Sequence, residues 1–247
     1  MSNLIRIFIS ILFVLFTFSS AFGAVEVFSE YNTEITINSN NTIDVHKTIY
    51  LKNIHVTGIV PGSVEFKINK KINNSDFKIN LTNVQVLDRY GNPIKFNIIE
   101  TKDYTVIALN IFSPLLPGFE YKMDLYYTFE YESSGFVFKS LEVPIKEIST
   151  IPVEDGTFKI TIPENYGFTY ISFISNNSQI EKNTAVWEFD SENKMPETIA
   201  FEYSYIPLKI GDLRGSIAFW IIIDLILFLL LILDITRRIK NSRKEEN

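Results

Sequence analysis

Two aspartates, Asp224 and Asp234, interrupt an otherwise apolar run near the end of the chain, from Ile217 to Ile235. An ionised carboxylate without a partner costs on the order of 2 to 3 kcal/mol or more in lipid. Asp234 has a simple explanation, because Arg237 and Arg238 follow it at helical spacings that place all three on one face. We therefore predict an ion pair at the end of a membrane helix.

Asp224 is different, because the apolar run contains no lysine, arginine or histidine, and the nearest basic residue outside it is Arg214. Three outcomes are open: the acid is protonated, it reaches toward Arg214 and the membrane surface, or it faces a polar or basic group on another helix. The third outcome would make Asp224 a docking residue for a membrane partner.

The rest of the chain offers few groups for catalysis. His46 and His55 form no HxH or HExxH pattern, and the sequence has no cysteine and no GxSxG motif. The acids Asp155, Asp190 and Glu192 fall in stretches that we interpret as solvated turns. The sequence thus predicts neither an enzyme nor a cofactor or metal, and the alternative is a hydrolase that uses these loop carboxylates, with or without a metal.

Modification chemistry is suggested by four Asn-x-Ser/Thr sequons, all within the region that we expect to be exported. They are sites of possible glycosylation if the host has an oligosaccharyltransferase. The four asparagines are Asn40, Asn73, Asn80 and Asn176.

The two ends of the chain predict its topology. The apolar run forms 19 residues, about 28 Å of helix, which nearly matches a hydrocarbon core of roughly 30 Å. We predict a transmembrane helix at 217–235, preceded by a stalk at 208–216 and followed by a cytoplasmic tail at 236–247. The tail is basic, as the positive-inside rule requires. Its basic residues are Arg237, Arg238, Lys240, Arg243 and Lys244.

The N-terminal segment has the features of a signal peptide. Arg6 precedes an apolar stretch from Ile7 to Phe18, and the small-residue pattern Ala21-Phe22-Gly23 follows. We predict a signal peptide at 1–23, cleaved after Gly23. The alternative is an uncleaved anchor, which would give two membrane helices, although this stretch is short for a spanning helix.

The region between the two ends alternates apolar and polar residues with a period of two, which indicates half-buried strands. The clearest stretches are YKMDLYYTFEY at 121–131 and TIDVHKTIYL at 42–51. A slip of phase near Thr82 and Asn83 predicts a β-bulge or a strand break. We expect ten to fourteen antiparallel strands, separated by turns at 40–41, 89–93, 117–118 and 155–156.

The predicted fold is therefore all-β: a tandem antiparallel β-sandwich ectodomain between a signal peptide and one transmembrane helix. Glycines and prolines between residues 135 and 156 suggest a boundary. We place the first sandwich at 24–143 and a smaller second one at 144–207.

The stretch LTNVQVLDRYGNPIKFNIIETKDYTVIALNIFSPLLPGFEYKMDLYYTFEY, residues 81–131, resembles a β-sandwich found in ribophorin I and in the N-terminal domain of zinc aminopeptidases. The shared pattern is a set of strands closed by L.PG..Y...L.Y. The peptidase activity is not implied, because the HExxH motif is absent. The ribophorin resemblance implies a type I membrane protein with a β-rich exported part that works in a complex.

Charge and composition set the remaining expectations. The chain has a net charge of −6, and the exported region has more acidic than basic residues, which argues against a nucleic-acid partner. We expect a single-pass protein of the cell membrane with its ectodomain outside, acting as a binding or structural module. Its expected partners are the lipid bilayer and another transmembrane protein. A ligand-sensing subunit of a membrane complex is a further alternative.

Overall fold

The computed structural model describes residues 24–72, 75–133, 138–144, 150–173, 177–190, 198–205 and 217–245, with helix side chains from 223 to 237. The predicted signal peptide at 1–23 and stalk at 208–216 lie outside the described residues. The described chain is mostly β-structure with one helix, which confirms the all-β class at that level.

Fourteen strands and one helix are found in the described ranges. The strands are β1 Glu26–Ile37, β2 Thr42–Asn53, β3 Gly62–Ile72, β4 Ser75–Lys78, β5 Leu81–Asp88, β6 Phe96–Glu100, β7 Thr105–Ile111, β8 Glu120–Glu130, β9 Phe138–Pro144, β10 Val153–Thr161, β11 Gly167–Ile171, β12 Ser178–Ile180, β13 Thr184–Phe189 and β14 Thr198–Ser204. The helix, α1, spans Ile217–Glu245.

These strands form three sheets. The largest has seven strands in the order β12-β13-β10-β1-β2-β8-β5, and the others have the orders β4-β3-β7-β6 and β11-β14-β9. Neighbouring strands are antiparallel except β1 and β10, which pair in parallel. The prediction of a purely antiparallel fold is thus wrong at this one pair, because the chain returns to β1 from another sheet instead of through a hairpin.

The predicted division into sandwiches at 24–143 and 144–207 does not separate the sheets. Strand β10, from the second range, lies inside the seven-stranded sheet, between β1 and β13. Strand β9, from the first range, pairs with β14 along its length. Residue 143 itself lies within β9, so no boundary between independent sheets occurs there.

The core follows the predicted alternation. In β2 and β8, every second residue is buried, including Ile49 and Leu51 in the first and Met123 and Leu125 in the second. Trp187 of β13 is fully buried as well, and its indole donates a hydrogen bond to the carbonyl of residue 173 at 3.1 Å. Since such side chains bury large apolar areas, this core is the main source of stability in a chain without disulfides.

The predicted phase slip is a bulge. The register between β5 and β8 shifts between Thr82 and Gln85, and Asn83 has a positive φ of 53°. The turns predicted around Asn41 and Gly118 are confirmed by their positive φ angles of 63° and 75°. The turn predicted at 155–156 is wrong, because both residues lie inside β10.

Helix α1 follows the β-rich part in sequence. Within the described part of the chain, no helix combines the length and the apolar content needed to cross a membrane. Most of the described side chains of α1 are nevertheless apolar and exposed: each apolar residue from Leu225 to Ile235 is between 41% and 64% exposed.

Candidate functional site

The most unusual surface of the β-rich part is an apolar tip formed by two loops, residues 54–61 and 112–119. The first loop follows β2, and the second connects β7 to β8. Six large apolar side chains in these loops are between 46% and 85% exposed. They are Ile54, Val56, Val60, Phe112, Leu116 and Phe119.

Asn53, at the end of β2, holds the two loops of the apolar tip together. Its side chain is fully buried and donates hydrogen bonds of 2.8 Å to the carbonyls of Thr57 and Leu115. Its side-chain oxygen accepts a 2.8 Å hydrogen bond from the backbone N–H of His55. One amide thus uses three of its hydrogen-bonding positions to fix both loops.

Backbone hydrogen bonds complete the apolar tip. Ile59 and Leu115 exchange two hydrogen bonds, of 3.0 and 2.8 Å, as in a short antiparallel ladder. Gly118 donates to the carbonyl of Asn53, whose own N–H donates to the carbonyl of Phe119. The exposed apolar side chains therefore stand on a backbone that is extensively hydrogen-bonded.

The sequence reasoning missed the apolar tip, although a signal was present. The segments 53–61 and 112–119 contain no acidic residue, lysine or arginine, whereas 21% of the whole chain is charged. A turn was predicted at 117–118, whereas none was predicted in 53–61. Exposed apolar patches of this kind mark binding sites in folded proteins.

A second cluster lies on the polar face of the seven-stranded sheet, around Asp124 of β8. Thr48 and Lys122 donate hydrogen bonds of 2.7 and 2.9 Å to its carboxylate, and the Nε2 atom of His46 lies 3.4 Å from it. The His46 ring stacks on Tyr126, with centroids 4.2 Å apart. His46, Thr48 and Tyr126 thus lie on one face of the sheet, beside Asp124.

The cluster lacks the geometry of a catalytic triad. Thr48 donates to the carboxylate at 2.7 Å, and one His46 nitrogen, Nε2, lies 3.4 Å from both the Thr48 hydroxyl and the carboxylate, so the ring does not bridge the two groups through its two nitrogens. Burial raises the pKa of the Asp124 carboxyl, but the hydrogen bonds from Thr48, Lys122 and His46 together outweigh it and lower the pKa below its ordinary value. The cluster is best interpreted as a stabilising cross-strand network.

The lowered pKa of Asp124 leads to a pH-dependent prediction. Its carboxylate stabilises the fold above the unfolded-state pKa near 3.8, and that contribution is lost as the pH falls through the folded-state pKa. Asp124→Asn should lower the free energy of unfolding by about 1 kcal/mol at pH 7, and the difference should shrink below pH 3.8. Urea unfolding at several pH values measures this. Asp103→Asn, at an exposed turn position, is the control; equal pH profiles for both variants would contradict the prediction.

Two of the predicted glycosylation sites border one groove. Asn40 and Asn80 line a groove of about 850 Å³ that is also lined by Phe129, Tyr131 and Leu141. Asn40 accepts a hydrogen bond from the hydroxyl of its own sequon threonine. The other two sites, at positions 73 and 176, lie outside the described residues, and glycosylation at all four stays a prediction.

Two buried charged residues were not anticipated. Lys47 of β2 is 1% exposed, and its ammonium group donates to the Thr33 hydroxyl at 3.1 Å and lies 5.0 Å from the Tyr31 ring centroid. Glu202 of β14 is also 1% exposed and accepts a 2.6 Å hydrogen bond from Thr169. These groups are partnered, as buried charges must be.

The acids proposed for a hydrolase do not form a metal site in the described residues. Asp155 lies in β10, Asp190 follows β13, and Glu192 falls outside the described ranges. Across the described part of the chain, no group of three or more histidine, cysteine, aspartate or glutamate side chains is placed to hold a metal ion.

The helix positions the two aspartates of the apolar run differently. Asp224 is exposed on α1. Asp234 shares one surface groove with Leu230, Leu233 and Arg237, so Asp234 and Arg237 face the same side, as their spacing requires. The docking role of Asp224 and the ion pair at the end of the helix stay predictions, and the side chains of 238–244 lie outside the described residues.

Comparison with known proteins gives one sequence relative. No family model matches the chain. An uncharacterized protein of Methanocaldococcus jannaschii is 26% identical over 144 residues, which cover 58% of this chain and 98% of that protein.

Solved structures that match part of the chain at low TM-scores include a metallopeptidase and a hydrolase. An M1 zinc metallopeptidase of Deinococcus radiodurans matches with a TM-score of 0.39 and 11% identity, over 74% of this chain and 43% of that one. Leukotriene A4 hydrolase of Saccharomyces cerevisiae matches with a TM-score of 0.43 and 12% identity, over 72% and 29%. The chain thus spans less than half the length of either protein. The resemblances to ribophorin I and to the aminopeptidase N-terminal domain stay predictions.

Proposed function

We propose that this protein is a single-pass membrane-anchored surface protein. Its β-rich part lies outside the cell as a binding or structural module, α1 anchors it, and the basic tail stays on the cytoplasmic side. We further propose that it works in a membrane complex with another transmembrane protein.

The observation that carries this proposal is the surface of α1. Ten apolar side chains between Leu225 and Ile235 are each at least 41% exposed, on every side of the helix. A helix that is apolar all round belongs in a protein core or in a membrane. Lipid surroundings would remove this large apolar surface from water.

The length of the helix supports the same proposal when the sequence is included. The described side chains, from 223 to 237, cover about 22 Å at 1.5 Å per residue. The sequence adds the apolar residues 217–222 before them, which brings the run from Ile217 to Ile235 to about 28 Å. This approaches the thickness of a hydrocarbon core.

The orientation rests on charge. Five basic residues lie within the last dozen positions of the chain, directly after the apolar run. Such a cluster resists translocation and stays in the cytoplasm. The acidic β-rich part would then lie on the opposite side, in agreement with the signal peptide predicted from the N-terminal segment.

The experiment uses the full-length protein expressed in its native host. Anchoring predicts that it stays in the membrane fraction after alkaline extraction and enters solution with detergent. A chain released by alkali would contradict the anchoring.

Docking through Asp224 is tested by purification in mild detergent. A carboxylate that pairs with another helix in lipid contributes about 1.4 kcal/mol or more, so Asp224→Leu should reduce a copurifying membrane protein at least about tenfold. Asp234→Leu, at the helix end, is the matched control and should retain it. Quantitative mass spectrometry compares the profiles, and identical profiles for both variants and the wild type would contradict docking by Asp224.

A further inference from the structure

We propose that the apolar tip inserts into the surface of the bilayer that holds the protein's own helix. The tip would then be a second, interfacial membrane contact, which goes beyond anchoring by α1. The proposed ligand is the lipid interface itself. Val56 and Phe112 are 85% and 72% exposed to solvent in the described structure, and insertion would remove these apolar side chains from water.

The composition of the apolar tip favours lipid over a protein partner. The segments 53–61 and 112–119 contain no tryptophan, tyrosine or arginine, the residues that dominate protein–protein hot spots. They also contain no lysine, aspartate or glutamate, and a charge at this position would oppose insertion. Exposed Val, Ile, Leu and Phe without charge are suited to an apolar interface instead.

The hydrogen bonds of the apolar tip meet a second requirement of lipid. Backbone groups that leave water need partners within the protein, because the hydrocarbon offers none. Asn53 supplies three such bonds, and the exchange between Ile59 and Leu115 supplies two more. Pro114 and Pro117 have no N–H to satisfy. A tip built in this way enters an interface without exposing many unpaired backbone groups.

The position of the apolar tip is compatible with the same membrane. Tyr131 follows β8 at the end of the sheet opposite the apolar tip. The hydroxyl of Tyr203, near the end of β14, lies 2.9 Å from the hydroxyl of Tyr131, so β14 ends on that opposite side. Strand β2 separates the two ends by about 40 Å over its 12 residues. The segment 206–216 can reach about 36 to 40 Å when extended, so a β-rich part that lies tilted on the membrane brings its tip to the lipid.

The start of the described chain is also beside the apolar tip. The N–H of Ile54 donates to the carbonyl of Val25 at 3.1 Å, and Val25 is itself 44% exposed. The first described residues therefore lie at the same end of the sheet as the apolar tip.

The test uses fluorescence of single-cysteine variants, which is clean because the chain has no cysteine. Full-length Phe112→Cys and Val56→Cys are labelled with an environment-sensitive dye and placed singly in nanodiscs that contain nitroxide lipids. Glu132→Cys, an exposed position at the opposite end, is the control. Interfacial insertion reaches about 5 to 10 Å into the headgroup region, so lipid quenching at the tip should exceed that at the control at least about twofold.

A charge inside the apolar tip should reverse the effect. Val56→Asp, combined with the label at Phe112, should reduce quenching to the level of the control, while near-ultraviolet circular dichroism shows an intact fold. Quenching that appears after separate nitroxide vesicles are added would mean contact with an apposed membrane and would overturn the proposal. A label that stays unquenched in a nanodisc also overturns it. Failure of the chain to enter nanodiscs at all would instead contradict anchoring by α1.

Discussion

Replacing Gly156 with alanine should lower the free energy of unfolding by about 3 kcal/mol, because the position has no room for a methyl group. A Cβ atom there would overlap the backbone carbonyl oxygen of Tyr31 and lie 3.2 Å from its carbonyl carbon. Both atoms belong to β1, at the centre of the seven-stranded sheet, so a side-chain rotation cannot relieve the overlap. Urea unfolding of the full-length protein in detergent, followed by near-ultraviolet circular dichroism, measures the loss.

Gly58→Ala is the matched control. A Cβ atom at Gly58 would meet Leu115 and Leu116 atoms at 3.8 Å, which is ordinary van der Waals contact. Since its backbone is also compatible with alanine, its stability should stay within about 1 kcal/mol of the wild type. Equal stability of Gly156→Ala and Gly58→Ala would contradict the close approach of β10 to β1.

Gly156 also shows where sequence reasoning reaches its limit. The pair Asp155-Gly156 was predicted as a turn, since both residue types are common in turns. The glycine is required for another reason, the close approach of a strand that is more than a hundred residues away in sequence. Local patterns contain no information about such a neighbour, so the parallel pair of β1 and β10 and the shared sheets could not be predicted.

The structural features that depend on local periodicity were predicted correctly. Alternation identified the buried face of β2 and β8, and the phase slip located the bulge at Asn83, because burial of one face fixes the parity of a strand. Lys47 has the same parity as the buried residues of β2, although its burial was not predicted. A lysine in the apolar phase of a strand was therefore the available signal for the buried cation.

The candidate site was harder to predict than the strands. The sequence singled out Asp224 and the sequons from known motifs, whereas the apolar tip depends on two loops that meet through Ile59 and Leu115, more than fifty residues apart. Loops without charged residues were visible in the sequence. Their meeting at one end of the sheet follows from the pairing of β3 with β7 and of β2 with β8, which is a long-range property.

Loss of the Asn53 side chain should have the largest effect on stability, a decrease of about 3 to 4 kcal/mol in the free energy of unfolding for Asn53→Ala. Each of its three hydrogen bonds contributes about 1 kcal/mol, and removing the amide also leaves an empty space at a fully buried position. The carbonyl of Thr57 would lose this donor, and the carbonyl of Leu115 would keep only the N–H of Ile59. Denaturant unfolding compares this variant with Asn97→Ala, an exposed position of β6 that should change by less than about 0.5 kcal/mol.

Asn53→Asp separates hydrogen bonding from shape. The substitution keeps the size of the side chain and the acceptor for the N–H of His55, but it removes both donors and places a carboxylate against the carbonyl oxygens of Thr57 and Leu115. Its loss of stability at pH 7 should therefore equal or exceed that of Asn53→Ala, because a buried carboxylate that faces two carbonyl oxygens is more costly than a missing amide. If Asn53→Asp were as stable as the wild type, the amide donors would not be what joins the two loops, and the apolar tip would need another source of rigidity to stand exposed at the end of the sheet.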